Sequence, residues 1–259
     1  MTELETILRG MGPVAVAVSG GIDSLTLATV AHRTASDRVT MHHATSPAVP
    51  AEATERTQAL AAREGWTLEV FDAGEFADPG YRANPVNRCF FCKTSLYGAV
   101  AARTTRQIVS GTNTDDLGEY RPGLNAARDH GVRHPFVEAG LDKAAIRRLA
   151  RALGLGALSD LPSAPCLSSR IETGIRIEAP DLAMVHRAEL LVAAALHPRT
   201  VRCRVRATGV VIELDPGALA RMEPDQETAL RAGIAGLGVA RPVSFAAYRN
   251  GSAFVQPAS

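Results

Sequence analysis

The sequence predicts an α/β fold built on a parallel sheet, followed by a smaller α+β domain. Three observations carry this. The apolar run Val14–Val18 breaks into Ser19-Gly20-Gly21 and resumes as a helix-compatible stretch from Leu25 to His32. Strand-like and helix-like stretches alternate through the first 160 residues, as crossover units joining parallel strands do. Beyond Ser159 the alternation gives way to a helix, a hairpin, a second helix and a strand.

Val14–Val18 is β-branched at every other position and reads as a buried first strand. Val39–Ala44 reads as the second strand, with Thr45 and Ser46 at its end. Ala51–Glu64 holds good helix formers and turns over at Gly65. Trp66–Phe71 alternates as a third strand, and Asp72–Asn87, rich in Gly, Pro and Asn, reads as irregular. Lys93–Thr104 is expected to be helical, and Gln107–Ser110 a short buried strand opening into Gly111–Asp116. Asp142–Leu153 is a further helix ending at Gly154. Ligands of such sheets sit beyond the carboxyl ends of the strands. Ser19, Thr45 and Gly111, each just past a strand end, are therefore expected to converge on one nucleotide.

Pro162 and Pro165 mark a linker, giving a first domain over 1–160, a linker over 161–178 and a small domain over 179–259. In the last, Asp181–Leu196 reads as helix, Val201–Arg206 and Val210–Leu214 as a hairpin about Ala207-Thr-Gly209, Glu223–Ala235 as helix and Ala240–Tyr248 as strand. About 85 residues is near the lower limit for independent folding, so this domain is expected to pack on the first or on another subunit.

The 259 residues are 46% hydrophobic and 21% charged, enough for an ordinary globular core. A formal net charge of +1 argues against long nucleic acid as the main partner. No apolar run reaches membrane-spanning length. Met1–Leu8 carries two Glu and no basic leader, so the cytoplasm is the expected compartment. There four cysteines are thiols or metal ligands rather than a disulfide framework.

Glycines at the strand–helix turn let backbone approach a ligand, and N–H groups at the helix start favour an anion, here phosphate. Asp23 and Ser24 place a carboxylate and a hydroxyl on the first helical turn. The string Ser19-Gly20-Gly21-Ile22-Asp23-Ser24 resembles the pyrophosphate loop (PP-loop) of ATP pyrophosphatases. It lacks the Gly-Lys-Ser/Thr ending of a Walker loop and the third glycine of a dinucleotide fingerprint. That resemblance implies a Rossmann-like sheet and cleavage of ATP between its α- and β-phosphates.

Cys89 and Cys92 form Cys-Phe-Phe-Cys, and Cys166 follows in Pro165-Cys-Leu-Ser-Ser-Arg170. The pair alone fits a zinc half-site, a redox pair, an iron–sulfur half-site or two buried thiols. His130 or His134 would be the fourth ligand of a zinc site. Three thiolates without a fourth suggest a cluster with one metal corner open to sulfide. Cys203 shares a strand face with Val201 and Val205 and reads as core. Arg202, Arg204 and Arg206 share the other face, either solvated or gathered about phosphate or carboxylate.

Taken with Asn87–Lys93, Ser110–Asp116, Glu119-Tyr-Arg-Pro-Gly123 and Pro165–Arg170, the loop makes the whole chain resemble the LarE family, ATP-dependent sulfur transferases of nickel-pincer cofactor biosynthesis. The resemblance implies adenylation of pyridinium-3,5-biscarboxylic acid mononucleotide and insertion of sulfur. It implies an ATP phosphate site at Ser19, Gly20, Gly21, Asp23 and Ser24, with Asp23 on Mg²⁺, and further nucleotide contacts at Asn113, Asp116 and Arg121. Lys93 and Arg170 would stabilise thiolates or the substrate carboxylate, and Glu189, Arg202 and Arg204 would bind the mononucleotide. Cys89, Cys92 and Cys166 would hold a [4Fe-4S] cluster carrying a transferable sulfide, supplied free or by a donor protein. The alternative within the family is sacrifice of the Cys166 sulfur. A homo-oligomer is expected. The runner-up is a PP-loop transfer-RNA thiolase, which needs the basic surface that this charge balance lacks.

Overall fold

The computed structural model describes residues 2–118, 120–162 and 165–254. In chain order its elements are α1 Glu3–Gly10, β1 Val14–Ala17, α2 Ile22–Thr34, β2 Val39–Thr45, α3 Ala51–Glu64 and β3 Leu68–Asp72. There follow α4 Pro79–Arg82, α5 Arg88–Ala101, β4 Gln107–Ser110, α6 Gly123–Asp129, α7 Pro135–Glu138 and α8 Lys143–Ala152. The rest comprises α9 Ala179–Leu196, β5 Val201–Arg206, β6 Gly209–Leu214, α10 Pro216–Arg221, α11 Pro224–Ala235 and β7 Val243–Ala247. Two compact units result. The first runs to Asp78 and resumes at Asn87; the second comprises Pro79–Val86 and the described chain from Pro165 onward. Glu119, Ser163 and Ala164 lie outside the described residues.

The first unit is Rossmann-like, with an all-parallel sheet of order β3-β2-β1-β4. All four residues of β1 are buried, which is why its sequence is continuously apolar rather than alternating. Leu25, Leu27, Met41, Val109, Phe136 and Ile146 pack in one core cluster; Ala15, Ala17, Tyr97, Val100 and Ile108 pack in another. From β1 the chain steps outward through β2 to β3, then returns across the sheet to β4. The strand order therefore reverses between β1 and β4, and the crevice beyond their carboxyl ends is where such sheets bind ligands. The Ser19–Ser24 turn leaves β1 there, and Gly111 leaves β4 there.

Helix α5 begins at Arg88, five residues before the expected start at Lys93. Cys and Phe are middling helix formers, and Asn87, although of a residue type that commonly caps helices, makes no side-chain cap, so the local start signal is weak. The difference has consequences. Cys89 and Cys92 lie in the first helical turns, three residues apart on one face. Strand β3 starts at Leu68 because Trp66 closes the turn after α3, its N–H donating to Ala61 O at 2.9 Å.

The second unit has a three-stranded sheet in which β5 and β6 pair antiparallel and β6 and β7 parallel. Leu182, Val185, Ala188 and Val192 of α9 are fully buried, as are Cys203 and Ile212. The segment Pro79–Val86, expected as irregular chain of the first domain, is built into this unit. Asn84 is fully buried with φ +55°, and its amide donates to Glu172 O at 2.8 Å and Ile175 O at 2.9 Å. Tyr81 Oη lies 2.6 Å from Ser168 Oγ, and Arg82 pairs with Glu178. Among the described residues no helix is long and apolar enough to cross a membrane.

Candidate active site

The turn after β1 is braced from three directions. Ser24 Oγ accepts from Ser19 N at 3.1 Å, lies 3.2 Å from Ser19 Oγ and donates to Gly21 O at 3.0 Å. Ser24 is itself buried, so its hydroxyl shapes the turn. Arg56 on α3 donates to Gly20 O at 2.6 Å. In a trans peptide this directs the Gly21 N–H to the side away from Arg56. Gly20 has φ +78°, and a Cβ there would meet Ala53 O at 2.5 Å. Gly111 closes the third side; its Cβ would lie 2.8 Å from Ser24 N. Two peptide backbones thus touch where any side chain would separate them, which is the close approach that anion cradles require.

Asp23 sits on the first turn of α2. Lys143, opening α8, forms an ion pair with its Oδ2, whereas Oδ1 is buried with no hydrogen-bond partner among the described residues. Burial raises the Asp23 carboxyl above its ordinary value, Lys143 works against that, and the nearby Asp116 carboxylate adds to it. An orphaned carboxylate oxygen with a second carboxylate close enough to act on it fits a divalent cation. Asp116 accepts from Asn113 N at 3.1 Å and pairs with Arg121 at 2.8 Å. Two residues beyond Arg121, Gly123 abuts α5: a Cβ there would lie 2.9 Å from Lys93 Cγ and 3.5 Å from Cys89 O. Contacts and fields therefore lead from Asp23 through Asp116 and Arg121 to the helix bearing Cys89, Cys92 and Lys93. His134, 2.9 Å from Ser110 Oγ at the end of β4, is held below its usual value by burial and then by Lys93, with Glu138 and Asp116 opposing. Thr45 is turned to the neighbouring strand, donating to Phe71 O at 3.3 Å.

The second unit holds Cys166, Arg170, Glu189, Arg202 and Arg204. Cys166 is exposed. Arg170 is buried and pairs with Glu189 through two bonds of 2.9 and 3.0 Å, while its remaining nitrogen donates to Pro165 O and Cys166 O. It clamps the loop that presents Cys166. Glu189 also accepts from Cys203 N at 2.9 Å, so it is an interior carboxylate rather than a solvated one. The sequence left open how the arginine face of β5 is compensated. Carboxylates do it: Arg204, 4% exposed, binds Glu213 at 2.9 Å, and Arg206 binds the other Glu213 oxygen at 3.0 Å. Arg202 lies over the Tyr248 ring at 6.0 Å. Burial pushes the Cys203 thiol far up, which fits a core residue.

Among the described residues no three His, Cys, Asp or Glu side chains are grouped to hold a metal ion. Cys89 and Cys92 belong to the first unit and Cys166 to the second. Lys143 and Arg56 were missed in the sequence. Lysine in the first turn of α8, against the helix dipole, was the available signal for one; nothing local marked the other.

Together these features define a Rossmann-like α/β protein whose glycine turn and cysteine-bearing helix meet through one connecting segment. The chain belongs to the family of the uncharacterized protein slr1717 of Synechocystis, to which it is 36% identical over 81% of its length and 79% of the relative's. It is also 29% identical, over 82% of its length and 78% of the relative's, to the pyridinium-3,5-bisthiocarboxylic acid mononucleotide synthase of Lactiplantibacillus plantarum. A 30% identity covers 41% of the chain and 42% of the uncharacterized protein MJ0830 of Methanocaldococcus jannaschii. No protein-family model matches.

Proposed function

We propose that this protein is an ATP-dependent sulfur transferase acting on pyridinium-3,5-biscarboxylic acid mononucleotide. The observation that supports it is that one unit carries a braced glycine turn with an orphaned Asp23 oxygen and, linked to it through Asp116, Arg121 and Gly123, a helix bearing two thiols. The similarity to a protein named pyridinium-3,5-bisthiocarboxylic acid mononucleotide synthase supports the choice of substrate. In this reading the Gly20–Gly21 backbone and the start of α2 hold the triphosphate. A substrate carboxylate oxygen attacks the α-phosphorus, the bond to the β-phosphate oxygen breaks and pyrophosphate leaves. Mg²⁺ at Asp23 would screen the charge of that leaving group. Arg121 and Lys93 orient phosphate and carboxylate, and Arg202 binds the mononucleotide phosphate. A sulfur nucleophile then attacks the acyl carbon, and AMP departs with the original carboxylate oxygen.

Two sulfur sources follow from the cysteines. A [4Fe-4S] cluster on Cys89, Cys92 and Cys166 would present sulfide at its open corner. Direct sacrifice of Cys166 would draw on a thiol that is exposed. The test is anaerobic purification with iron and sulfide analysis, then protein mass after turnover. Retained mass with about four irons per chain supports the cluster; loss of the mass of hydrogen sulfide supports sacrifice. Pyrophosphate release that ignores the mononucleotide substrate would refute the transferase reading itself.

A further inference from the structure

Lys143 stands where a helix least favours a cation. It is the first residue of α8, whose first turn holds no acidic residue, and the helix dipole there is positive. Its backbone is fixed: Asp142 caps the helix by accepting from Ala145 N at 2.6 Å, and Lys143 N donates to Asp115 Oδ2 at 3.1 Å. The side chain reaches from this anchored position to Asp23. Arg147, one turn along, is committed elsewhere, donating to Ser159 O and Leu161 O at 2.7 Å each. Asp23 therefore pairs with Lys143 through one oxygen, Arg147 acting on it only through its field, and its other oxygen has no hydrogen-bond partner among the described residues.

We infer that Lys143 is a place-holding cation: it neutralises Asp23 while the site lacks nucleotide, and passes to the phosphates when a divalent cation and ATP arrive together. The inference rests on the ATP reading above. Its reason is electrostatic. A divalent ion at Asp23 with the ammonium still beside it brings like charges together, which repel strongly at short range away from bulk water. Only the added negative charge of a triphosphate accommodates both. Lysine suits this exchange, because its charge is a compact point on a flexible four-carbon stem. Metal alone should then bind poorly, and metal with nucleotide well.

Mn²⁺ binding followed by electron paramagnetic resonance, without nucleotide, tests this. Lys143→Met and Lys143→Gln should each bind Mn²⁺ about tenfold or more tightly than the unaltered protein. Lys143→Arg should bind it as weakly as the unaltered protein, and adding Asp23→Asn to Lys143→Met should abolish the gain. Two neutral replacements keep the comparison intact if one folds poorly. Mn²⁺ affinity unchanged in both, or a gain that survives Asp23→Asn, overturns the inference. If the Mn²⁺ gain appears but pyrophosphate is never released, the adenylation reading falls and the Lys143–metal exchange stands. Substrate-dependent pyrophosphate release without the gain has the opposite meaning.

Discussion

Asp23 is half-buried and Glu213 buried, both carboxylates face cations, yet they act on stability with opposite sign. Burial dominates at Asp23, and its carboxyl is raised despite Lys143. A raised value stabilises the fold below the unfolded carboxyl range and withdraws that contribution as pH rises through the folded value. Ionising Asp23 as pH rises thus opposes folding. Asp23→Asn is expected to unfold at the same or a higher temperature than the unaltered protein at pH 7, with any gain vanishing below pH 4, while nucleotide binding is lost. At Glu213 burial also pushes upward, but Ser252, Arg204 and Arg206 outweigh it and leave the carboxyl lowered. Its contribution is present above the ordinary glutamate value of 4.5 and lost as pH falls through the folded one. Glu213→Gln leaves Arg204 buried without its charge partner, and should cost about 3–5 kcal/mol at pH 7 in denaturant unfolding. That cost should shrink toward acid pH. An equal cost at every pH would contradict the ionic account. The sequence showed three arginines on one face of β5 but not their partner, because the Arg204–Glu213 pair crosses two strands.

At the scale of elements, the glycine turn works by the approach of two backbones. Replacing Gly111 with Ala sets a Cβ 2.8 Å from Ser24 N and 2.9 Å from Asp23 C, neither of which can swing aside. Nucleotide affinity in titration calorimetry should fall by about tenfold or more, a loss of roughly 1.4 kcal/mol, while the sheet stays folded. Unchanged affinity would mean the crevice lies elsewhere. Elements with strong local signals were legible to within a residue or two. Helix α3 ends at Gly65 in the left-handed conformation, and α8 starts at a capping Asp142. Strand β4 was bounded by polar residues and glycine. The body of helix α5 was legible from Lys93 onward, but its start was not, because its first turns are Arg-Cys-Phe-Phe-Cys without a side-chain cap. That is also where two candidate sulfur ligands, Cys89 and Cys92, lie.

For the molecule as a whole, the second unit is assembled from two separate stretches of chain. Tyr81, Arg82 and Asn84 come from Pro79–Val86, and the groups they bind lie between Ser168 and Glu178. No sequence pattern announces such pairing, since the partners are about 90 residues apart and each is locally unremarkable. A fragment beginning at Pro165 lacks the Asn84 amide, leaving Glu172 O and Ile175 O without that donor, at about 1–3 kcal/mol for each buried polar group left unsatisfied. That fragment should show no cooperative thermal transition by circular dichroism; a sharp one would contradict this account of the unit. In the first unit, adenylation of a carboxylate fixes the fate of one oxygen atom. With the substrate carboxylates labelled with ¹⁸O, mass spectrometry of products after reaction with ATP tests it most directly. Transfer of one labelled oxygen per sulfur inserted into the phosphate of AMP is predicted; label in inorganic phosphate, or AMP without label, would contradict it.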